Sequence, residues 1–124
     1  MCIFHTNAWD DERGTTAVEF AIVGPLFIAF VIGILYLCMA LFLVGSLHYA
    51  VEEGARCASV RTMVCSDAAT IVSYAQSRYF GPSSPTFTYA AAACGNSVSG
   101  SINYAIELGL KQVTIPITAT ACFP

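Results

Sequence analysis

A chain of 124 residues that is 56% apolar and only 10% charged has room for one small domain and one membrane segment. Its five basic residues, Arg13, Arg56, Arg61, Arg78 and Lys111, are scattered and outnumbered by eight acidic ones, for a net charge of −3. That excludes the concentrated positive footprint of a nucleic-acid binder, and acidity this mild singles out no partner.

Near the N-terminus stands Arg13-Gly14-Thr15-Thr16-Ala17-Val18-Glu19-Phe20, a glycine followed five residues later by a carboxylate. From Ala17 to Leu47 Glu19 is the only charged side chain, and Gly24-Pro25 is the one local breaker, read as a helix kink. A helix rising about 1.5 Å per residue needs about 20 apolar residues to cross a hydrocarbon core of roughly 30 Å, and this run exceeds that. It is too long for a signal-peptide core, no small-residue cleavage site closes it, and its flank carries Asp10, Asp11 and Glu12 against one arginine. The segment reads as an anchor embedded in the lipid bilayer.

Basic residues near the two ends of the span are almost balanced, so charge alone does not orient it. Cys57, Cys65, Cys94 and Cys122 all lie beyond the span, an even number suited to an oxidising compartment. The C-terminal part is therefore expected to be periplasmic or extracellular.

Past the span, Ala50, Val51, Ala55, Ala58 and Val60 recur at helical spacing, so the first helix should continue out of the membrane. Gly54 is a weak point in it, costing about 1 kcal/mol relative to alanine. Ser66-Asp67 marks the cap of a second helix running to about Tyr79, and Gly81-Pro82-Ser83-Ser84-Pro85 ends it.

The last third changes period. Phe87, Tyr89, Ala91 and Ala93, then Val98, Ile102, Tyr104, Ile106 and Leu108, then Val113, Ile115, Ile117 and Ala119 alternate with smaller or polar residues. A period of two predicts three strands with one apolar face each. Turns fall at Cys94-Gly95-Asn96 and Gly109-Leu110-Lys111, and Pro116 points to an edge strand. Three strands alone are marginal, so the two helices must cover them. The expected fold class is α+β: a long N-terminal transmembrane helix extending into a small head with a second short helix and a three-stranded antiparallel sheet.

Among the cysteines, Cys38 sits in the apolar run as a small hydrophobe. The four beyond the span allow three pairings. Cys94 and Cys122 each close a strand of the same direction and share the threonine-bearing face, which makes them the preferred bridge. Cys57 and Cys65 on one continuous helix would be about 12 Å apart, so their bridge is the weaker candidate and requires the helix to end between them.

The string Gly14 to Phe20 resembles the class III signal-peptide processing site of prepilins. Taken with Gly24-Pro25, Glu53-Gly54-Ala55-Arg56-Cys57-Ala58-Ser59-Val60 and a threonine-rich last strand ending in Phe123-Pro124, the chain resembles the TadE-like minor pilins, or pseudopilins, of the tight-adherence (Tad/Flp) type IV pilus system. The resemblance implies a pilin-like fold and a leader of residues 1–14 removed by a prepilin peptidase between Gly14 and Thr15. Residues 15–62 would then be the transmembrane and extended helix, and 63–124 the head. It also implies other pilin subunits and the inner-membrane assembly machinery as partners, with a single span, a periplasmic head and possible passage into an adhesive pilus. Leaders of that family are typically basic, whereas this one is acidic at Asp10 to Glu12.

The spacing has a physical rationale. A glycine offers a protease unhindered backbone. Glu19 as an anion in lipid costs about 2 to 4 kcal/mol, and the ammonium released at Thr15, its own or a neighbouring subunit's, is the counter-charge that would offset this and set subunit register. Phe20 beside it supplies apolar anchoring. A plainer alternative is that Glu19 merely favours the positive end of a helix dipole. No catalytic activity, cofactor or metal is expected: His5 falls in the leader, and His48 has no acid or nucleophile at a telling spacing. The alternative to a cleaved minor pilin is an uncleaved single-span protein whose head binds partners or scaffolds a secretion complex.

Overall fold

The computed structural model describes residues 9–124, with backbone only for residues 9–13 and Leu108. His5 and most of the expected leader lie outside the described residues. Two helices precede three strands: α1 (Trp9–Val60), α2 (Ala68–Arg78), β1 (Thr86–Ala92), β2 (Gly95–Leu108) and β3 (Lys111–Phe123). The class is α+β. The chain divides into two compact units between Leu37 and Cys38.

The first unit is helical and apolar. α1 is long and apolar enough to cross a membrane, and only 6% of its most apolar stretch is buried. The core helix of a water-soluble domain would hide that surface. α1 runs through Gly24-Pro25 without ending, although proline supplies no amide hydrogen to the turn before it.

In the second unit α1 becomes one-sided. Leu43, Leu47, Ala50, Val51 and Ala55 are completely buried, with Ser46 almost so, a stripe at the three- and four-residue spacing of a helix face. The apolar run read from the sequence to Leu47 thus ends inside the head's core: its last exposed large side chain is Phe42. Ile71 and Ala75 of α2 and Phe87, Val98, Ile102, Ile117 and Ala119 of the sheet complete that core.

Strand order is β1-β2-β3, all antiparallel, from Thr86↔Ser101 to Ala92↔Gly95 and from Asn96↔Phe123 to Leu108↔Lys111. Pro116 is on the edge strand β3, opposite Asn103. The second and third strands reach further into their turns than their apolar alternation does, because ladder hydrogen bonds need backbone and not apolar side chains. Gly109, at φ +65, turns β2 into β3. Beyond Ser101 β2 pairs with β3 alone, and this arm leaves Val113, Ile115 and Leu110 exposed.

Polar contacts tie the sheet to the Val60 end of α1. The Tyr89 hydroxyl donates to Asn96 Oδ1 (2.6 Å), Asn96 Nδ2 donates to Ser59 Oγ (3.0 Å), and Ser59 Oγ lies 3.2 Å from the Phe123 carbonyl. Closer to Phe42, the amide of Phe80 donates to Ser46 Oγ at 2.7 Å, which explains a buried serine in an apolar stripe. Tyr49 stacks on Phe80 with centroids 6.4 Å apart.

Asp67 caps α2. Its Oδ1 accepts from the Thr70 amide (2.8 Å), and the Thr70 hydroxyl returns to the Asp67 backbone, closing a capping box. The Thr70 amide bond, then the Thr70 hydroxyl, holds the Asp67 carboxyl below its ordinary value of 3.8. A depressed folded pKa gives stability that is complete above the unfolded value and lost as pH falls through the folded one. The native protein should therefore lose α2 stability progressively below pH 3.8, whereas Asp67→Asn, which keeps the acceptor without titrating, should show a shallower acid limb in thermal unfolding followed by circular dichroism.

Gly54 is where three elements meet. A Cβ there would stand 3.1 Å from Ala75 Cβ and 3.5 Å from both Val98 methyl carbons. Gly54→Leu should destabilise the head by about 1–3 kcal/mol through overpacking, read as a lowered melting temperature, with exposed Glu52→Leu on the same helix as the comparison.

Candidate processing and assembly site

Gly14, Thr15, Glu19 and Phe20 are helical and exposed, in the first unit. A Cβ on Gly14 would meet nothing within 4 Å, and its φ is not in the left-handed region. Neither packing nor backbone conformation calls for glycine here, while its helix penalty of about 1 kcal/mol remains. The opposite holds at Gly54, where the fold does use the missing side chain.

Glu19 lies ten residues inside α1, which starts at Trp9. The partial positive charge of a helix start fades within the first turn, so with residues 9–14 in place Glu19 lies beyond its reach. Among the described residues it makes no hydrogen bond or ion pair, and Phe20 beside it is 78% exposed. Glu19 follows Thr15 by four residues, one helical turn of about 6 Å, and helical side chains lean toward the N-terminus. An ammonium on Thr15 would fall within reach of the Glu19 carboxylate.

Both candidate bridges are formed. Cys94 pairs with Cys122, with Cα atoms 6.1 Å apart, and Cys57 with Cys65 at 5.8 Å. The second becomes possible because α1 ends at Val60. The Arg61 amide still bonds the Cys57 carbonyl, and the Arg61 carbonyl then accepts from Val64 and Cys65, curling the chain back. Cys38 is a free, exposed thiol. His48 is exposed on α1, and no group of three or more His, Cys, Asp or Glu able to hold a metal occurs among the described residues.

The fold also assembles a cluster that sequence reasoning left as scattered charges. Tyr74 on α2 receives two guanidiniums at its hydroxyl, Arg61 Nη1 at 3.2 Å and Arg78 Nη2 at 2.9 Å, and donates toward Glu53 Oε2 at 3.4 Å. The Arg78 guanidinium also lies 4.8 Å from the Tyr74 ring centre, and its bond to the hydroxyl raises its already high pKa. Glu53, Arg56, Cys57, Val60, Arg61 and Tyr74 line a cavity of about 150 Å³. Glu53 and Arg56 belong to the string singled out after the span, but nothing local places Tyr74 or Arg78 beside them.

The profile of the family described as TadE-like protein matches residues 14–56, beginning at the proposed cut site and ending within the string Glu53 to Val60. No curated protein and no solved structure matches the chain. Over residues 14–56, about a third of its length, the chain is similar to the TadE-like family.

Proposed function

We propose that this protein is a minor pilin or pseudopilin of a Tad-type pilus, a building part and not a catalyst, made as a precursor and cut by a prepilin peptidase between Gly14 and Thr15. The observation that carries this reading is a glycine that the fold has no use for, five residues before a carboxylate without a partner among the described residues, where an exposed apolar run begins. The similarity of residues 14–56 to the TadE-like family supports it.

In the precursor, Gly14 and Thr15 are helical, so cleavage requires local unwinding to the extended form proteases take. Glycine eases that step, since it is the poorest helix former after proline. Cleavage turns the Thr15 amide into an ammonium. Glu19, costly in lipid alone, then pairs with it, or with that of an adjacent subunit as apolar helices pack in the inner membrane. The exposed side chains from Val18 to Phe42 are the surface on which bilayer and neighbouring subunits exchange. The two disulfides suit a head exported to the periplasm.

The test is intact mass of the membrane-extracted protein produced with and without a prepilin peptidase. Loss of residues 1–14 only with the peptidase is expected, and Gly14→Val should stay full length. A chain starting at Met1 in both samples would favour the uncleaved scaffold reading. Glu19→Gln should be cleaved normally yet enter filaments at least about tenfold less, because an ammonium is left without its partner; quantifying the protein in sheared pili against the membrane fraction reads this out.

A further inference from the structure

Three of the chain's five basic residues stand at one corner of the head, around Tyr74 and the Cys57–Cys65 bridge. Against Arg56, Arg61 and Arg78 the only acid in the cluster is Glu53, a local excess of two positive charges in a chain of net −3. Arg61 and Arg78 are occupied in part by the Tyr74 hydroxyl, and Arg78 Nε is buried without an acceptor. Arg56 lines the cavity and makes no hydrogen bond or ion pair with any described residue, Glu52 one turn before it included.

Apolar surface adjoins this charge. Val60, Met63 and Val64 are exposed, Met63 to 96%, on the turn that the bridge holds in place. Arginine, tyrosine and methionine beside a small pocket are what protein interfaces enrich, and a charged rim supplies specificity there. Lipid is the poorer occupant: Arg56 is fourteen residues past Phe42, the last exposed large side chain of the apolar run, about 21 Å along the helix.

We propose that the Cys57–Cys65 corner is a docking site for a protein partner that presents a carboxylate side chain flanked by apolar residues. The carboxylate enters the cavity and takes the free N–H groups of Arg56 and Arg61. The flanking residues cover Val60, Met63 and Val64. Two guanidiniums match the planar oxygens of a carboxylate, while the Glu53 carboxylate in the wall disfavours a dianion. The site goes beyond processing at Gly14 and operates whether or not the leader is removed.

The full chain in nanodiscs of neutral lipid, with arginine side chains labelled for nuclear magnetic resonance, tests this. The probe is an acetylated, amidated Gly-Leu-Glu-Leu-Gly peptide, with its Gln counterpart, inorganic phosphate and anionic phospholipid vesicles as the other arms. Saturable shifts of the Arg56 and Arg61 Nε–Hε signals are expected with the Glu peptide, together with at least about fivefold weaker binding of the Gln peptide. Arg56→Gln, exposed and outside the core, should lower affinity for the Glu peptide at least about fivefold, and Met63→Ser should weaken both peptides alike. Equal binding of the two peptides, no saturable shift, tighter binding of phosphate than of the Glu peptide, or Arg56-dependent binding of the vesicles would each overturn the proposal.

Discussion

The head depends on the close approach of three backbones at Gly54. There Ala75 of α2 lies closer than ordinary van der Waals contact, and Val98 of β2 at ordinary contact, to the place a side chain on α1 would occupy. Around that point the fully buried Leu47, Ala50, Val51 and Ala55 present small and branched surface at helical spacing. A sheet of three strands has one apolar face to hide, and this stripe, with Ile71 and Ala75 of α2, is what hides it. A helix long and apolar enough to cross a membrane thereby also serves as the core element of the head.

Two kinds of crosslink then secure the Val60 end of that core. The Ser59–Asn96–Tyr89 hydrogen bonds and the Cys94–Cys122 bridge hold the start of β2 and the end of β3 together, while Cys57–Cys65 closes the turn that follows α1. Loop closure makes the two bridges unequal. With sequence separations of 28 and 8, chain entropy assigns them about 3.6 and about 2.6 kcal/mol. The shorter one has a local consequence, since it holds Arg61 beside Arg56 and Tyr74.

The first unit carries the surface of a membrane span. Its apolar side chains are exposed, which in water would be a fault and in a bilayer is the requirement. Within that setting a polar group needs a reason, and on the proposed reading Glu19 acquires one when cleavage creates a cation next to it. On the proposed reading, processing and assembly are coupled by electrostatics: a cut between Gly14 and Thr15 would supply the charge that makes burial of Glu19 among packed helices tolerable.

Much of this was legible in the residues. The helix, strand and turn positions follow from periodicity and breakers, and Pro116 on an edge strand follows from its missing amide hydrogen. The Gly14–Glu19 spacing is visible as such because both residues lie within two turns of one helix. What the sequence could not decide is where apolar character changes use. Leu43 and Leu47 read like the rest of the run, yet they pack in the head, because burial depends on what the chain brings opposite them. Gly54 read as a helix weakness and is a contact point. Cys57 and Cys65 were too far apart on an unbroken helix, and only the turn at Arg61 made them neighbours. Arg61, Arg78 and Tyr74 came together because α2 folds back on α1, a long-range approach that no local pattern encodes. Local hydrogen bonding and side-chain period set the elements; packing between elements distant in sequence set the core, the Cys57–Cys65 bridge and the cationic corner.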